Sequence, residues 1–155
     1  CHIAYATHFW RERGLSGELL SHTGPVTFTL DNTSVDGTQA ALTAFVTGRA
    51  AEVLGRMTPE ERKERLLRQL AQAFGAQATQ PTDYHETNWQ EVDGAVGGPV
   101  GGGGPGSLAR YGEHLRGPVG RIQFAGTETA QSWMGFMEGA VEAGVRAAEE
   151  VHQAL

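Results

Sequence analysis

The chain has 155 residues, a formal net charge of -6 and one cysteine. Its basic residues are scattered, so neither nucleic acid nor an anionic membrane surface is expected as a partner. No apolar run approaches the roughly 20 residues that cross a bilayer, and the first residues carry no export signal. The single cysteine excludes an internal disulfide framework and fits a reducing compartment, so we expect a cytoplasmic protein.

The first fifty residues have the β-branched and aromatic content of short strands. Strands are predicted at residues 1–10, 26–30 and 40–47, with turn residues between Asn32 and Gly37. This pattern favours an antiparallel sheet. Because Cys1 stands where a natural chain normally has Met and leads directly into a strand-like stretch, we expect a chain cut within an element, by processing, by a nick or by division of the sequence.

The clearest predicted helix extends from Thr58 to Gly75. Thr58 suits the N-cap, Pro59 the first helical position and Glu61 a capping box, while Gly75 ends the helix. The opposite, mixed-charge face is predicted to be solvated. The apolar side chains recur at helical spacing on one face: Leu66, Leu67, Leu70, Ala71 and Phe74.

Glycine dominates residues 94–106, which follow Trp89. Composition alone favours a flexible linker here. A helix-compatible stretch at 107–115 follows, and aromatic residues flank the run, so a glycine-lined approach to a ligand is the alternative.

Residues 119–125 are predicted to form a buried strand that Gly126 ends, and a helix is predicted from Gly135 onward. Each glycine in such a helix costs about 1 kcal/mol, so close packing must compensate. The predicted apolar stripe comprises Met137, Ala140, Val141, Gly144, Val145, Ala148 and Val151, while Gly139, Ala143 and Ala147 keep much of the remaining surface small.

The beginning of this last helix is a candidate ligand site. The free amides and the positive dipole end of a helix favour negative charge, and the N1–C2=O edge of a flavin gains such charge on reduction. By itself the pattern is weak, because many helices begin after glycine.

The sequence FAGTETAQSWMGFMEGAVEAGVRAA, residues 124–148, closely resembles the C-terminal flavin-binding signature of the monoamine oxidase family. The resemblance continues at residues 117–122, at Asn88-Trp89, at 30–33 and at 36–37, and so covers nearly the whole chain. It implies an α+β fold. Residues 1–88 would belong to a substrate domain with a mixed or antiparallel sheet and the helix 58–75. Residues 89–155 would supply the C-terminal strand and helix of an FAD-binding, Rossmann-like α/β region of a two-domain amine oxidase.

The resemblance also assigns roles to individual residues. Gly126, Thr127 and Glu128 would lie along the ribityl and phosphate of FAD. Other residues would border the isoalloxazine ring or lie near it: Gly135, Phe136, Met137 and Ala140, with Trp89, Gly97 and Gly98. The substrate pocket would include Pro99, Trp133 and Phe136, although a core position for Trp133 is the alternative.

Departures from the family pattern change what is expected of the cofactor and pocket. Gly98 stands where enzymes with covalent flavin have Cys, so FAD is predicted to be non-covalent. Pro99 replaces the first aromatic residue of a two-ring cage, which predicts a wider or differently shaped substrate pocket.

The family's GxGxxG phosphate loop is absent, since the glycines at 101–104 follow no strand. The family's lysine that holds a water at flavin N5 would lie immediately before Cys1, so no catalytic residue is expected in this chain. We therefore expect an N-terminal partner polypeptide that carries both features, and a higher oligomer.

The resemblance implies an FAD-dependent amine oxidase that converts a small amine to an imine and reduces O2 to H2O2. An L-amino-acid oxidase is an alternative and needs an arginine for the substrate carboxylate. Arg110, Arg116 and Arg121 are present, but the resemblance places none of them in the pocket. A non-catalytic interaction module with a degenerate oxidase fold is the other alternative. No metal is expected, since no pair of histidines has a convincing ligand spacing.

Overall fold

A computed structural model describes residues 1–95, 98 and 103–154. Contacts between Cα atoms divide the chain into two compact units, Cys1–Asn88 and Trp89–Leu155. This boundary coincides with the predicted one, whereas the substrate-binding and flavin-binding roles of the two units stay predictions. None of the helices among the described residues has the length and apolarity needed to cross a lipid bilayer.

An antiparallel sheet of five strands forms the centre of the first unit, in the order β2-β3-β4-β1-β5. The strands are β1 (His2–Tyr5), β2 (Leu19–Leu20), β3 (Phe28–Asp31), β4 (Ala40–Phe45) and β5 (Asp83–His85). The sequence patterns anticipated β1, β3 and β4 but neither edge strand. The prediction of a strand over 1–10 is wrong beyond Tyr5, because residues 9–12 form a helix.

The helices of the first unit are α1 (Phe9–Glu12), α2 (Gly48–Gly55) and α3 (Pro59–Phe74), followed by a 3-10 turn at Ala76–Thr79. The predicted α3 is confirmed with its capping box: the Thr58 hydroxyl accepts from the Glu61 amide at 3.3 Å, and the Glu61 carboxylate accepts from the Thr58 amide at 3.0 Å. The residues of the first unit's core are nearly inaccessible and include Ile3, Trp10, Val26, Leu42, Leu66 and Leu70.

A buried glutamine joins α3 to the loop that precedes β3. The side-chain oxygen of Gln69 accepts from the Val26 amide at 2.7 Å, and its nitrogen donates to the carbonyls of Thr23 and Val26 at 2.8 and 3.0 Å. Gly24 lies so close to this amide that a side chain there would collide with it. One polar side chain therefore satisfies several backbone groups that are withdrawn from water.

The end of β3 is tied to α1 through Asp31. Its carboxylate accepts from the buried Trp10 indole at 2.9 Å, from Arg11 Nε at 2.7 Å and from the Thr33 amide at 2.9 Å. Burial would raise the pKa of Asp31, but the hydrogen bonds from Arg11, Thr33 and Trp10 outweigh it and hold the pKa well below its usual value.

The second unit contains α4 (Ser107–Tyr111) and α5 (Met137–Gln153), with 3-10 turns at Gly112–His114 and Thr127–Thr129. The prediction of a buried strand at 119–125 is wrong. Val119 and Ile122 pair with each other around Gly120, whose φ is 60°, and both side chains are 60% exposed. A tight reversal has taken the place of an extended strand, although the residue types are those of a strand.

The face of α5 that is buried in this unit differs from the predicted stripe. The small residues Gly139, Ala143 and Ala147 are buried, whereas Met137, Val141, Val145 and Val151 are exposed. A Cβ on Gly139 would lie 2.9 Å from the carbonyl carbon of Trp133 and 3.0 Å from the Thr127 hydroxyl. Close approach of the preceding loop selects small residues on this face, which hydrophobicity alone does not reveal.

Candidate functional site at the start of helix α5

Two groups of predicted FAD-binding residues are joined by one hydroxyl group. Thr127 Oγ1 accepts from the Gly135 amide at 2.7 Å and donates to the Phe136 carbonyl at 2.9 Å. The segment with Gly126, Thr127 and Glu128 is thereby fixed beside the first turn of α5. Because its hydroxyl is bonded within the chain, Thr127 offers a ligand its backbone rather than its side chain.

The first turn of α5 begins without a side-chain cap. Phe136 occupies the N-cap position with extended backbone, and the helix begins at Met137, two residues later than predicted. The initial amides of a helix have no partner within the helix and carry the positive end of its dipole. This end is therefore suited to an electronegative ligand group, although Glu138 in the first turn also adds negative charge.

Strained backbone precedes this helix. Gly135 has a φ of 89°, and Trp133 has a φ of 57°, which is uncommon for a residue with a side chain. The Trp133 carbonyl accepts from the Phe136 amide at 2.9 Å, so a tight turn delivers the chain into α5. Such strain persists only where surrounding contacts hold it in place.

Apolar side chains surround the helix start and face outward from the described chain. The rings of Trp133 and Phe136 lie edge to face with centroids 6.0 Å apart. Trp133 is 65% exposed, Phe136 64% and Met137 88%. Trp133 is thus not buried within the described chain, and its place in the substrate pocket stays a prediction. Ala140 is also exposed.

The remaining predicted residues have less structural detail around them. Trp89 is exposed at the beginning of the second unit, and a Cβ on Gly98 would meet no described atom within 4 Å. Glu128 is partly buried, with a carboxylate oxygen 3.1 Å from the position of a Cβ on Gly126. Gly97 and Pro99 lie outside the described residues.

Three charged residues hold the loop that leads to α5, and the sequence predicted this role for none of them. The Glu142 carboxylate accepts from the amides of Gln131 and Ser132 at 3.0 and 2.9 Å, and these two bonds lower its pKa. Arg116 and Arg146 bind backbone carbonyls of the same loop. The helical spacing of Glu142 and Arg146 relative to Gly139, Ala143 and Ala147 is the sequence signal that could have indicated a supporting role for these two charged residues.

Among residues 1–95, 98 and 103–154, no group of three or more His, Cys, Asp or Glu side chains could hold a metal ion. Cys1 belongs to the first unit, where its sulfur accepts from the Tyr84 hydroxyl at 3.6 Å.

Comparison with known proteins identifies the family. Residues 1–152 match the model of the flavin containing amine oxidoreductases. The chain belongs to this family. It is 43% identical to amine oxidase [flavin-containing] B of Canis lupus familiaris, covering 100% of this chain and 30% of the relative. It is 41% identical to the probable flavin-containing monoamine oxidase A of Dictyostelium discoideum, covering 97% of this chain and 33% of that protein.

Solved structures of flavin amine oxidases resemble the chain as well. Cyclohexylamine oxidase from Brevibacterium oxydans IH-35A has a TM-score of 0.85 and 43% identity, over 99% of this chain and 34% of that one. Putrescine oxidase bound to putrescine has a TM-score of 0.86 and 34% identity, over 97% of this chain and 34% of that one. The small antiparallel sheet with its helices thus corresponds to part of a flavin amine oxidase fold. The chain spans about a third of the length of these relatives, and the family implies a flavin cofactor.

Proposed function

We propose that the chain contributes to an FAD-dependent amine oxidase, which oxidises the C–N bond of a small amine to an imine while O2 is reduced to H2O2. The observation that carries this proposal is the uncapped start of α5, bordered by exposed Phe136 and Met137. It lies inside the sequence that resembles the family's flavin-binding signature, and the family membership supports the general chemistry.

The residues at this site fit a flavin. An isoalloxazine ring needs an apolar surface for its face and hydrogen-bond donors for its electronegative edge. Phe136, Met137 and Ala140 offer the apolar surface, and the initial amides of α5 offer the hydrogen-bond donors. Gly98 has no thiol and Cys1 is the only cysteine in the sequence, which supports non-covalent binding.

The proposal gives the residues at the start of α5 and in the segment 126–128 separate roles in binding FAD and the amine. The backbone of residues 126–128 would lie along the ribityl and phosphate, and Gly135 would allow close approach to the ring. When bound, FAD supplies the two-electron chemistry by accepting a hydride equivalent from the amine carbon. The first turn of α5 would stabilise charge at the ring's carbonyl edge. Phe136 and Trp133 would form an apolar wall that positions the amine and excludes water.

Other parts of the site would come from outside these residues. The AMP half of FAD needs a phosphate-binding loop, and the expected lysine also has no counterpart in the chain. We propose that the rest of the enzyme supplies both and that the enzyme is a higher oligomer. The native mass of the purified enzyme would give its oligomeric state, and a monomer would refute that part of the proposal.

The assay measures peroxide formation and the visible absorption of the flavin in the complete enzyme. We expect a yellow protein that bleaches on anaerobic addition of an amine and forms H2O2 in air. A colourless preparation that stays inactive after reconstitution with FAD would favour the non-catalytic module. Each amine is compared with its α-carboxylated analogue in the same assay. Faster oxidation of the analogue would indicate an amino-acid oxidase.

Two of the three arginines that an amino-acid oxidase could use for a substrate carboxylate already have partners within the chain. Arg116 is already bonded to two backbone carbonyls, and Arg110 lies over the ring of Tyr111. Neither guanidinium is therefore free of local contacts, as a carboxylate clamp would require. Arg121 is exposed.

A matched pair of variants tests the placement of the ring. Met137→Trp adds bulk at the exposed start of α5, and Leu108→Trp adds the same bulk at an exposed position of α4. We expect Met137→Trp to lower flavin occupancy and Leu108→Trp to leave it unchanged. Equal occupancy in the two variants would contradict the assignment.

A further inference from the structure

Two arginines converge on the loop that leads to α5. Arg116 donates from Nε to the Thr129 carbonyl at 3.0 Å and from Nη2 to the Ala130 carbonyl at 2.8 Å. Arg146, on α5, donates from Nη2 to the Phe124 carbonyl at 2.9 Å and to the Thr129 hydroxyl at 3.0 Å. Three carbonyls of the segment 124–130 thus accept from guanidinium groups.

The two arginines are also connected to each other. Arg146 Nη1 donates to the Arg116 carbonyl at 3.4 Å and to the Glu150 carboxylate at 2.9 Å. The Arg146 side chain is only 18% exposed, and its bond to Glu150 is partly buried, whereas its bond to the Arg116 carbonyl lies at the surface. Charge-assisted bonds in such surroundings are stronger than neutral ones, and the planar guanidinium fixes the directions of several acceptors at once.

A chain of contacts leads from these arginines to the proposed flavin wall. Thr129 is buried, and its hydroxyl donates to the Gly126 carbonyl at 2.9 Å while accepting from Arg146. Gly126 precedes Thr127, whose hydroxyl holds Gly135 and Phe136. A shift of the 124–130 segment would therefore move both groups of residues assigned to FAD.

We propose that Arg116 and Arg146 are positioning residues, which order the loop 124–136 before FAD binds and so set the affinity for the cofactor. This inference rests on the proposed function. Neither arginine needs to touch FAD, because each acts through backbone carbonyls. A loop that is already ordered loses less conformational entropy when the ligand arrives, and the ligand binds more tightly for that reason.

The experiment compares variants of the complete enzyme with and without FAD. Arg146→Met keeps much of the length and apolar stem but removes every donor, Arg146→Lys keeps the charge without the planar fork, and Arg116→Lys tests the second arginine. Arg121→Met is the control, since Arg121 is exposed in the same unit. Amide hydrogen exchange of residues 126–136 is measured in the FAD-free enzyme, and the Kd for FAD is measured by flavin fluorescence on reconstitution.

We expect Arg146→Met to lose exchange protection across 126–136 and to weaken FAD binding by at least about tenfold, as loss of a charge-assisted bond predicts. Arg146→Lys and Arg116→Lys should give intermediate losses in both quantities, and Arg121→Met should match the wild type. The lysine variants retain a readout if Arg146→Met fails to fold.

Either of two results would overturn this inference and leave the proposed function standing. One is unchanged protection of the FAD-free loop in the Arg146 and Arg116 variants. The other is reduced protection with FAD affinity equal to that of the wild type, which would make the arginines structural only. A wild-type enzyme that binds no flavin would instead overturn the proposed function and this inference together.

Discussion

Replacing Gly139 by Ala tests the close contact between α5 and its own lead-in loop. The new methyl carbon would lie 2.9 Å from the carbonyl carbon of Trp133, nearer still to the carbonyl oxygen, and 3.0 Å from Thr127 Oγ1. Backbone atoms cannot yield as a flexible side chain can. Overpacking of this kind costs about 1–3 kcal/mol, and the better helix propensity of Ala returns about 1 kcal/mol, so we expect a net loss of up to about 2 kcal/mol.

Amide hydrogen exchange of α5 in the FAD-free enzyme gives the local opening free energy directly. Gly144→Ala in the same helix is the control, because a Cβ there meets no described atom within 4 Å. The control should be neutral or stabilising by up to about 1 kcal/mol. Protection in Gly139→Ala as high as that in Gly144→Ala would refute the packing argument. A destabilised Gly144→Ala would reveal a contact from another part of the enzyme.

Three further changes address the first unit. Gln69→Leu leaves the buried Val26 amide without its acceptor and should lower the unfolding free energy by about 1–3 kcal/mol in urea titration; an unchanged midpoint would contradict the bridging role. Thr58→Ala removes the capping box and should cost about 1 kcal/mol by the same measurement, whereas a gain would refute it. The folded-state pKa of Asp31 is depressed, so its stabilisation is complete above the unfolded value of about 3.9 and is lost as the pH falls through the folded pKa. Asp31→Asn should therefore destabilise the enzyme at neutral pH, and the difference from wild type should narrow in acid; a difference independent of pH would contradict it.

Local signals predicted α3 well because its information lies within its own residues. Thr58, Pro59 and Glu61 specify the start, and Gly75, with a φ of 102°, ends the helix. The capping box and the apolar stripe point to the same boundaries, so no distant contact is needed to choose among alternatives.

Residues 119–125 show where such signals fail. Val119 and Ile122 favour a strand, but Gly120 adopts a positive φ and the segment turns back on itself. A strand also requires a neighbour to accept its hydrogen bonds, and β-propensity reflects that packed surface more than the backbone itself. The residue types in this segment are those of a strand, but the sequence does not show whether a neighbouring strand is available to pair with it.

The candidate site was recognised by resemblance to a family signature and not by physical pattern. The FAD contacts of residues 126–128 and 135–137 stay predictions, although Thr127 holds these segments together. The supporting contacts of Arg116, Glu142 and Arg146 were missed, because their partners are backbone groups, which every residue possesses. The identity of a side chain does not indicate which carbonyl it will bind.

The contacts around α5 close shorter loops than those that join β1 to the rest of the first unit. Arg116 reaches 13 residues along the chain to Thr129, and Arg146 reaches 22 to Phe124, whereas Tyr5 reaches 73 to Ala78. Closing a loop three times longer costs about 1 kcal/mol more in chain entropy. We therefore expect the helix and its lead-in loop to acquire protection before β1 does during refolding, in pulse-labelled hydrogen exchange, and the reverse order would contradict this. The part of the chain assigned to the cofactor would then be assembled early, ahead of the strand with which the chain opens.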